Sequence, residues 1–134
     1  MHLVTGGSGF IGAGLVRALL ARGVPVRVLD DNSRGHPRRL VGLEDQIETV
    51  IGDVRDSDTV RKATAGCTVV WHLAFINGTR HFYERPDAVL DVGVRGTLNT
   101  IDAALESGVR RYIFASTSET YNVPTHVPTT EAER

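Results

Sequence analysis

Short apolar segments rich in valine and isoleucine alternate along the chain with longer segments that carry apolar residues at helical spacing. Five of the short segments have the length and composition of buried strands. They span residues 2–4, 26–29, 48–51, 68–73 and 111–115. Strands that alternate with helices favour a parallel sheet with right-handed crossovers and helices on both faces. The sequence therefore predicts an α/β fold, a Rossmann-type doubly wound parallel sheet with the strand order 3-2-1-4-5.

Four helices are predicted between these strands. The first runs from about residue 10 to 21 and stops before Gly23 and Pro25. The second covers about 37–43, the third follows Asp56 and Ser57 and ends at 65, and the fourth runs from about 86 to 106, where Gly108 stops it. Residues 122–134 hold prolines and threonines without periodicity, which predicts a loop after the fifth strand.

The composition is that of one domain, which we expect to span residues 1–134. Hydrophobic residues make up 41% and charged residues 23% of the chain, which is ordinary for a globular protein. The net charge is −1 and the basic residues are scattered, so nucleic acid is not an expected partner. Cys67 is the single cysteine, and neither a secretion leader nor an apolar run of membrane-spanning length is present. We expect a cytoplasmic protein without membrane contact.

Between the first strand and the first helix lies the glycine-rich sequence TGGSGFIG, residues 5–12. This is the position of a dinucleotide-binding fingerprint. Gly6 permits a tight turn, Gly9 lets the backbone approach a pyrophosphate, and Gly12 allows the helix to pack closely on the strand. The amides of Phe10 and Ile11 then face the phosphates at the positive end of the helix dipole. The alternative is that these glycines only form a turn.

A carboxylate follows each of the next two strands. Asp30 ends the second strand, where it would accept hydrogen bonds from the adenosine ribose and favour NAD over NADP, although Arg34 and Arg38 would soften that preference. Asp53 follows the third strand at the ligand-binding edge, where it would receive the adenine amino group or cap a helix. For Asp56 we prefer the helix cap, and for Asp31 an exposed turn is as good an interpretation as a functional one.

Several motifs occur in a familiar order over nearly the whole chain: TGGSGFIG, LDDNSRG from Leu29, GDVRD from Gly52, HLA from His72, VRGTLNTIDAA from Val94 and ASTSETY from Ala115. Together they resemble an extended short-chain dehydrogenase/reductase of the NAD-dependent epimerase/dehydratase family. The resemblance implies NAD as cofactor and a nucleotide sugar as substrate. It also implies transient oxidation of the sugar, followed by epimerisation, dehydration or decarboxylation and return of the hydride.

The resemblance extends the set of expected cofactor contacts. In the family the His-Leu-Ala segment lines the cofactor, and Ser116 follows the fifth strand where a cofactor contact is expected. The added residues are Asn32, Ser33, Val54, Leu73, Ala74, Phe75 and Ser116. His72 is expected to be structural, and no ligand spacing links the histidines into a metal site.

The resemblance also places catalytic residues after the fifth strand. Thr117 stands where the family has a hydroxyl that holds the reacting sugar oxygen, and Glu119 is either an acid or base or a solvated loop carboxylate. The family's Tyr-x-x-x-Lys pair is absent from this chain. The later strands and the small substrate domain are absent as well, so we expect the chain alone to be inactive.

Three alternatives stay open from the sequence. The chain is the NAD-binding portion of an enzyme, a non-catalytic NAD-binding regulatory or partner module, or a truncated inactive fragment. Gly93 and Asn122 stand where relatives commonly have asparagine and glycine, which weakens assignment to a named activity. The helix at 86–106 either forms a homodimer or packs on the sheet. An open edge on the fifth strand predicts poor stability or self-association.

Overall fold

The computed structural model of the protein describes residues 1–121, 123 and 126–132. Five parallel strands form one sheet in the order β3-β2-β1-β4-β5, which confirms the predicted fold class and strand order. The strands are β1 His2–Thr5, β2 Val26–Asp30, β3 Ile47–Ile51, β4 Val69–His72 and β5 Arg111–Phe114.

Both faces of the central strands are buried. Leu3 and Leu29 lie on one face with Val60 and Val70, whereas Val4, on the opposite face, lies in a second apolar cluster. Successive side chains of a strand point to opposite faces, so neighbouring residues of β1 enter different clusters. This explains why these strands appear in the sequence as continuous apolar runs rather than as an alternating pattern.

Helix α1 spans Phe10–Leu20 and packs on the sheet through Val16 and Leu19. Its end is formed by Gly23, which adopts φ +71°, while the amide of Val24 donates to the Leu19 carbonyl oxygen at 3.1 Å. Only glycine enters this left-handed region without a steric cost, and it commonly terminates helices in this way. The predicted first helix is confirmed, with its stop at Gly23.

The predicted second helix, at about 37–43, was wrong in type. Pro37–Leu40 forms a single 3-10 turn, begun by the His36 ring, which accepts a hydrogen bond from the Arg38 amide. Gly42 adopts φ +82°, which breaks the helical path, and a second 3-10 turn follows at Glu44–Gln46. The apolar spacing of this segment is compatible with a helix, but the left-handed glycine limits it to short turns.

Helix α2 spans Ser57–Thr64, and Asp56 caps it as predicted. The Asp56 carboxylate accepts hydrogen bonds from the Asp58 amide at 3.1 Å and from the Thr59 hydroxyl at 2.6 Å. An N-cap of this kind satisfies amides that the first turn leaves without helical partners.

The segment before β5 contains more elements than the sequence predicted. Helix α3, Thr79–Glu84, was missed. The predicted helix at 86–106 is present as α4 Pro86–Leu90, a π-helical turn at Asp91–Arg95 and α5 Gly96–Glu106. A 3-10 turn at Ser118–Tyr121 follows β5, and the described residues after it form neither helix nor strand.

Candidate cofactor site

The glycine-rich loop lies where the carboxyl end of β1 turns into α1. Gly6 adopts φ +69°, and a Cβ added there would lie 2.9 Å from the Ala74 backbone nitrogen. A Cβ on Gly12 would collide with the Gly6 carbonyl oxygen, which in turn accepts a hydrogen bond from the Gly9 amide at 3.0 Å. The loop, the first turn of α1 and the segment after β4 therefore meet at separations that only glycine allows.

The amino end of α1 has the features of an anion site. Its N-cap residue is Gly9, no side chain caps it, and no acidic residue lies in its first turn. Phe10 and Ile11 are 86% and 72% exposed, so their side chains are not buried over the end of the helix. Unpaired amides and the helix dipole both favour negative charge at such a position.

Asp30 is buried at the end of β2 and is held by backbone amides. One carboxylate oxygen accepts from the Ser8 amide at 2.9 Å, and the other accepts from the Asn32 amide at 2.8 Å. The Ser8 hydroxyl donates to the Asn32 side-chain oxygen at 2.9 Å. A Cβ on Gly35 would press on Ser8 and Asp30, so the loop after β2 also packs closely here. The carboxylate is thus fixed beside the glycine-rich loop.

Asp31 and Asp53 are held differently from Asp30. Asp31 is exposed, and its carboxylate accepts from both the amide and the hydroxyl of Ser33, which is the exposed-turn interpretation. Asp53 does not cap a helix, so that alternative was wrong. Its carboxylate pairs with Arg55 at 2.6 Å, and the hydrogen bond from the Arg55 side chain holds the pKa of Asp53 below its usual range.

One cleft brings many of the predicted cofactor residues together at the carboxyl edge of the sheet. Of that set, the residues that line it are Gly6, Gly9, Asp30, Ser33, Asp53, Val54, Leu73, Ala74 and Phe75. The other predicted residues lie nearby or outside it. Gly12 is buried in α1, Asn32 bonds to Ser8, and Ser116 is exposed beyond β5.

The cleft has lining residues that the sequence reasoning did not include in the cofactor set. These are Leu29, Asp31, Arg34, Gly35, Gly52, Ile76 and Val92. Extending each motif by one position would have found those that adjoin a predicted residue in sequence. These are Leu29, Asp31, Arg34, Gly52 and Ile76. Val92 belongs to the π-helical turn, 16 residues after Ile76, and no local motif pointed to it.

His72 is buried between two threonines. Its Nδ1 lies 2.8 Å from the Thr5 hydroxyl oxygen and its Nε2 lies 3.3 Å from the Thr97 hydroxyl oxygen. The Thr5 oxygen also accepts from the amides of Leu73 and Ala74, both at 3.2 Å. Burial lowers the pKa of His72 to about 4, so the ring is neutral at pH 7. The predicted structural role fits these contacts.

The predicted catalytic residues lie after β5, outside the cleft lining. Thr117 and Glu119 are exposed, and the Thr117 hydroxyl accepts a hydrogen bond from the Glu119 amide at 3.3 Å. The Thr117 carbonyl oxygen accepts from the Thr120 hydroxyl at 2.9 Å. Because β5 is parallel to β1 and β4, this segment leaves the sheet at the same edge as the cleft.

The described residues hold neither a cluster of metal ligands nor a helix fit to cross a membrane. No group of three or more histidine, cysteine, aspartate or glutamate residues among them is arranged to hold a metal ion. In the same part of the chain, none of the helices has both the length and the apolar character that a membrane crossing needs.

The glycine-rich loop, the cleft at the carboxyl edge of the sheet and the strand order all lie within a segment that matches one protein family. The model of the NAD-dependent epimerase/dehydratase family matches residues 2–134. The chain belongs to this family. The resemblance drawn from the sequence motifs is therefore confirmed.

Relatives within the family differ in chemistry. The chain is 35% identical over 119 residues to a UDP-N-acetyl-alpha-D-glucosaminuronate decarboxylase of Bacillus cytotoxicus, covering 89% of this chain and 37% of the relative. It is 37% identical over 117 residues to cinnamoyl-CoA reductase 1 of Petunia hybrida, covering 84% and 34%. Among solved structures, a double mutant of the dTDP-glucose 4,6-dehydratase of Streptomyces venezuelae, with NAD bound, matches with a TM-score of 0.91 and 29% identity, covering 100% and 44%.

The chain corresponds to the amino-terminal part of the proteins of this family. It spans less than half the length of the relatives described. The relatives are enzymes, which favours a portion of an enzyme over a regulatory module. By their names, the relatives act on nucleotide sugars and on a CoA thioester. Family membership alone therefore does not determine the substrate class.

Proposed function

We propose that this chain forms the NAD-binding part of an enzyme that transiently oxidises a nucleotide sugar. The observation that carries the proposal is the convergence of three groups on one cleft edge: the uncapped end of α1, the glycine-rich loop and the buried Asp30 carboxylate. The first two suit a pyrophosphate, and the third suits ribose hydroxyls. Bound NAD supplies the hydride acceptor for oxidation of the sugar.

Each part of the dinucleotide has residues of matching chemistry. The amides of Phe10 and Ile11 would bind the pyrophosphate, with Gly6, Gly9 and Gly12 keeping the approach free of side chains. Toward the adenosine half, the expected contacts are Asp30, Asn32, Ser33, Asp53 and Val54. Leu73, Ala74 and Phe75 would lie beside the ribose and pyrophosphate, and Ser116 would contact the cofactor from the segment after β5.

A preference for NAD over NADP follows from the place of Asp30. A carboxylate that accepts ribose hydroxyls repels the 2′-phosphate of NADP. Arg34 lines the same cleft and would partly offset this repulsion.

Nucleotide sugars are the substrate class that the decarboxylase and the dehydratase support. Thr117 would hold the reacting sugar oxygen through its hydroxyl, and Glu119 would exchange a proton next to the transient ketone. Both residues are exposed after β5, where a substrate domain would cover them. The chain has no Tyr-x-x-x-Lys pair to drive the oxidation, so we expect the 134-residue chain to bind NAD without turnover.

A second copy of the chain is the partner we propose. Leu90, Val94 and Leu98 are each more than half exposed along α4, the π-helical turn and α5. The oppositely charged Asp91 and Arg95 border these residues, so an antiparallel copy would place unlike charges opposite each other. The opposite face of α5 packs inward through Thr100 and Ala103, so both predicted roles of this helix are compatible.

The test is calorimetric titration of the 134-residue chain with NAD and NADP. We expect NAD to bind more tightly, and Asp30→Asn to weaken NAD binding by about tenfold and to narrow the preference over NADP. Asp45→Asn removes the same charge at an exposed position of the 3-10 turn Glu44–Gln46, outside the cleft lining, and should leave both affinities near wild type. Equal binding of NAD and NADP by the wild type, or no effect of Asp30→Asn, would contradict the assignment.

The substrate class is tested separately. Incubation of the same chain with NAD and UDP- or dTDP-sugars, and in parallel with an acyl-CoA thioester and NADH, is followed at the absorbance of reduced nicotinamide. We expect no turnover in either arm. Fusion to the carboxyl-terminal portion of a family member should produce turnover with the nucleotide sugar. Turnover with the thioester only would overturn the proposed substrate class.

A further inference from the structure

Arg55, which follows the cleft-lining residues Asp53 and Val54, holds the Asp53 carboxylate from two directions. Its Nε donates to both carboxylate oxygens, at 2.9 and 3.1 Å, and one Nη donates to Oδ2 at 2.6 Å. The Arg55 backbone amide donates to Oδ1 at 2.8 Å. Three N–H groups of Arg55, one of them shared between the two oxygens, therefore engage both oxygens and fix the plane of the carboxylate.

The other side of Arg55 is anchored to the π-helical turn. Its second Nη donates to the Asp91 carboxylate at 3.4 Å, and Asp91 also pairs with Arg95. The Asn99 side-chain amide donates to the carbonyl oxygens of Val54 and Arg55, both at 2.9 Å. The side chain and the backbone of Arg55 are thus both tied to the helical segment 91–99, and the guanidinium cannot turn away from Asp53 without also losing its contact with Asp91.

A Cβ on Gly96 would lie 2.6 Å from a methyl carbon of Val54. The helix therefore approaches the loop after β3 at a distance that only glycine allows. This close packing adds to the hydrogen bonds that fix the residues 53–55 as one unit.

We propose that Arg55 is a positioning residue that sets the base preference of the site by fixing the Asp53 carboxylate in the cleft. The proposal rests on the proposed function, in which Asp53 receives the adenine amino group. An ionised carboxylate only accepts hydrogen bonds, so a base with an amino group at position 6 is favoured and one with a carbonyl oxygen there is repelled. The hydrogen bond from Arg55 also holds the pKa of Asp53 low, which keeps it an acceptor.

The experiment compares calorimetric affinities for NAD and for nicotinamide hypoxanthine dinucleotide, which carries a carbonyl group in place of the adenine amino group. We expect the wild-type chain to prefer NAD, and Arg55→Gln to lower the ratio of the two affinities by about tenfold. Arg55→Lys keeps the charge but not the planar fork, and should lower the ratio as well. Asp91→Asn weakens the second anchor of Arg55, together with the Arg95 ion pair, and should lower the ratio by a smaller factor.

Arg61→Gln is the matched control, because Arg61 is also an ion-paired arginine of this region but bonds to Asp58 and Glu106 on the outside of the molecule. The ratio of the two dinucleotide affinities in Arg61→Gln should equal that of the wild type. An unchanged ratio in Arg55→Gln, full discrimination in Arg55→Lys, or an equal loss in Arg61→Gln would overturn the inference. If Arg55→Gln does not fold, a wild-type ratio in Asp91→Asn would overturn it. Binding of neither dinucleotide by the wild type would instead overturn the proposed function itself.

Discussion

Asp30 and Asp53 lie at the carboxyl ends of neighbouring strands of the sheet, yet the chain fixes the two carboxylates by different means. Asp30 is buried and accepts from two backbone amides, which belong to the glycine-rich loop and to the turn after β2. Asp53 is partly exposed and is held by the side chain and the backbone amide of one residue, Arg55. The orientation of the Asp30 carboxylate therefore depends on the fold of two loops. A substitution of Arg55 alone is enough to loosen the Asp53 carboxylate.

The third fixed polar group at this edge is His72, whose neutral ring completes a chain of hydrogen bonds. The Thr5 hydroxyl accepts from two amides, so its own proton is directed to Nδ1 of His72. The Thr97 hydroxyl donates to the Gly93 carbonyl oxygen at 2.6 Å, which leaves it as an acceptor for the proton on Nε2. A protonated His72 would oppose the Thr5 proton and would carry a charge into a buried position.

This arrangement predicts a loss of stability in mild acid. Folding lowers the pKa of His72 from 6.5 to about 4, so between these values the unfolded chain binds more protons than the folded one. The contribution of the neutral His72 ring to the free energy of unfolding is complete above pH 6.5 and falls as the pH drops toward 4. Between pH 7 and pH 5 we expect a loss of about 2 kcal/mol in the free energy of unfolding.

Urea unfolding of the wild type, His72→Gln and His36→Gln at the two pH values checks this. His72→Gln should be less stable at pH 7 but should change little between pH 7 and pH 5. His36 is exposed, so its variant should lose as much as the wild type. If His72→Gln loses as much unfolding free energy between pH 7 and pH 5 as the wild type does, other groups cause the loss.

At the scale of elements, strand β2 supplies the cap for the end of helix α2. One Nη of Arg27 donates to the carbonyl oxygens of Ala63 and Ala65, both at 2.7 Å, and its Nε donates to Glu48 on β3 at 2.7 Å. The Arg27 side chain is 16% exposed, and the last carbonyl groups of a helix have no helical partners. A cation here also opposes the negative end of the helix dipole.

Arg27→Met keeps the aliphatic stem and removes these donors. We expect it to lower the free energy of unfolding by roughly 1–3 kcal/mol, because the carbonyl oxygens at the end of the helix lose a charged partner. Arg61→Met, in which the lost ion pairs are exposed, should have little effect by comparison. Thermal or urea unfolding of both variants measures the difference, and equal losses would contradict a capping role for Arg27.

Elements with strong local signals were predictable, and those set by contacts between distant residues were not. The central strands were found because burial on both faces produces unbroken apolar runs, and α1 because Gly23 marks its end. Helix α3 was missed because it has six residues, none of them buried. The π-helical turn keeps the apolar spacing of an ordinary helix, so periodicity could not reveal it.

The same distinction applies to the site. The glycines and Asp30 were predictable because their roles depend on a local turn and a strand end. The pairing of Arg55 with Asp53 lies within the sequence GDVRD and could have been suggested by the alternating charges. The second anchor at Asp91 is 36 residues away, and only the fold brings it near.

At the scale of the whole molecule, two surfaces remain as candidates for association. Among the described residues β5 pairs only with β4, and Phe114 at its end is 53% exposed. The second surface is the apolar stripe along α4 to α5. It consists of Leu90, Val94, Leu98, Ile101 and Leu105. The open edge favours indefinite association through strand pairing, whereas a helix stripe that meets a second copy of itself forms a closed dimer.

The two modes of association differ in their response to one substitution. Leu98 lies in the middle of the stripe and is 55% exposed, so Leu98→Glu should leave the fold intact while burying a charge in any dimer formed there. Sedimentation equilibrium should show a dimer for the wild type and at least a tenfold weaker one for Leu98→Glu. Val41→Glu introduces the same charge at a 63% exposed position outside the stripe and should remain dimeric. Because the stripe and β5 are separate elements, undiminished or open-ended association of Leu98→Glu would assign self-association to the strand edge instead.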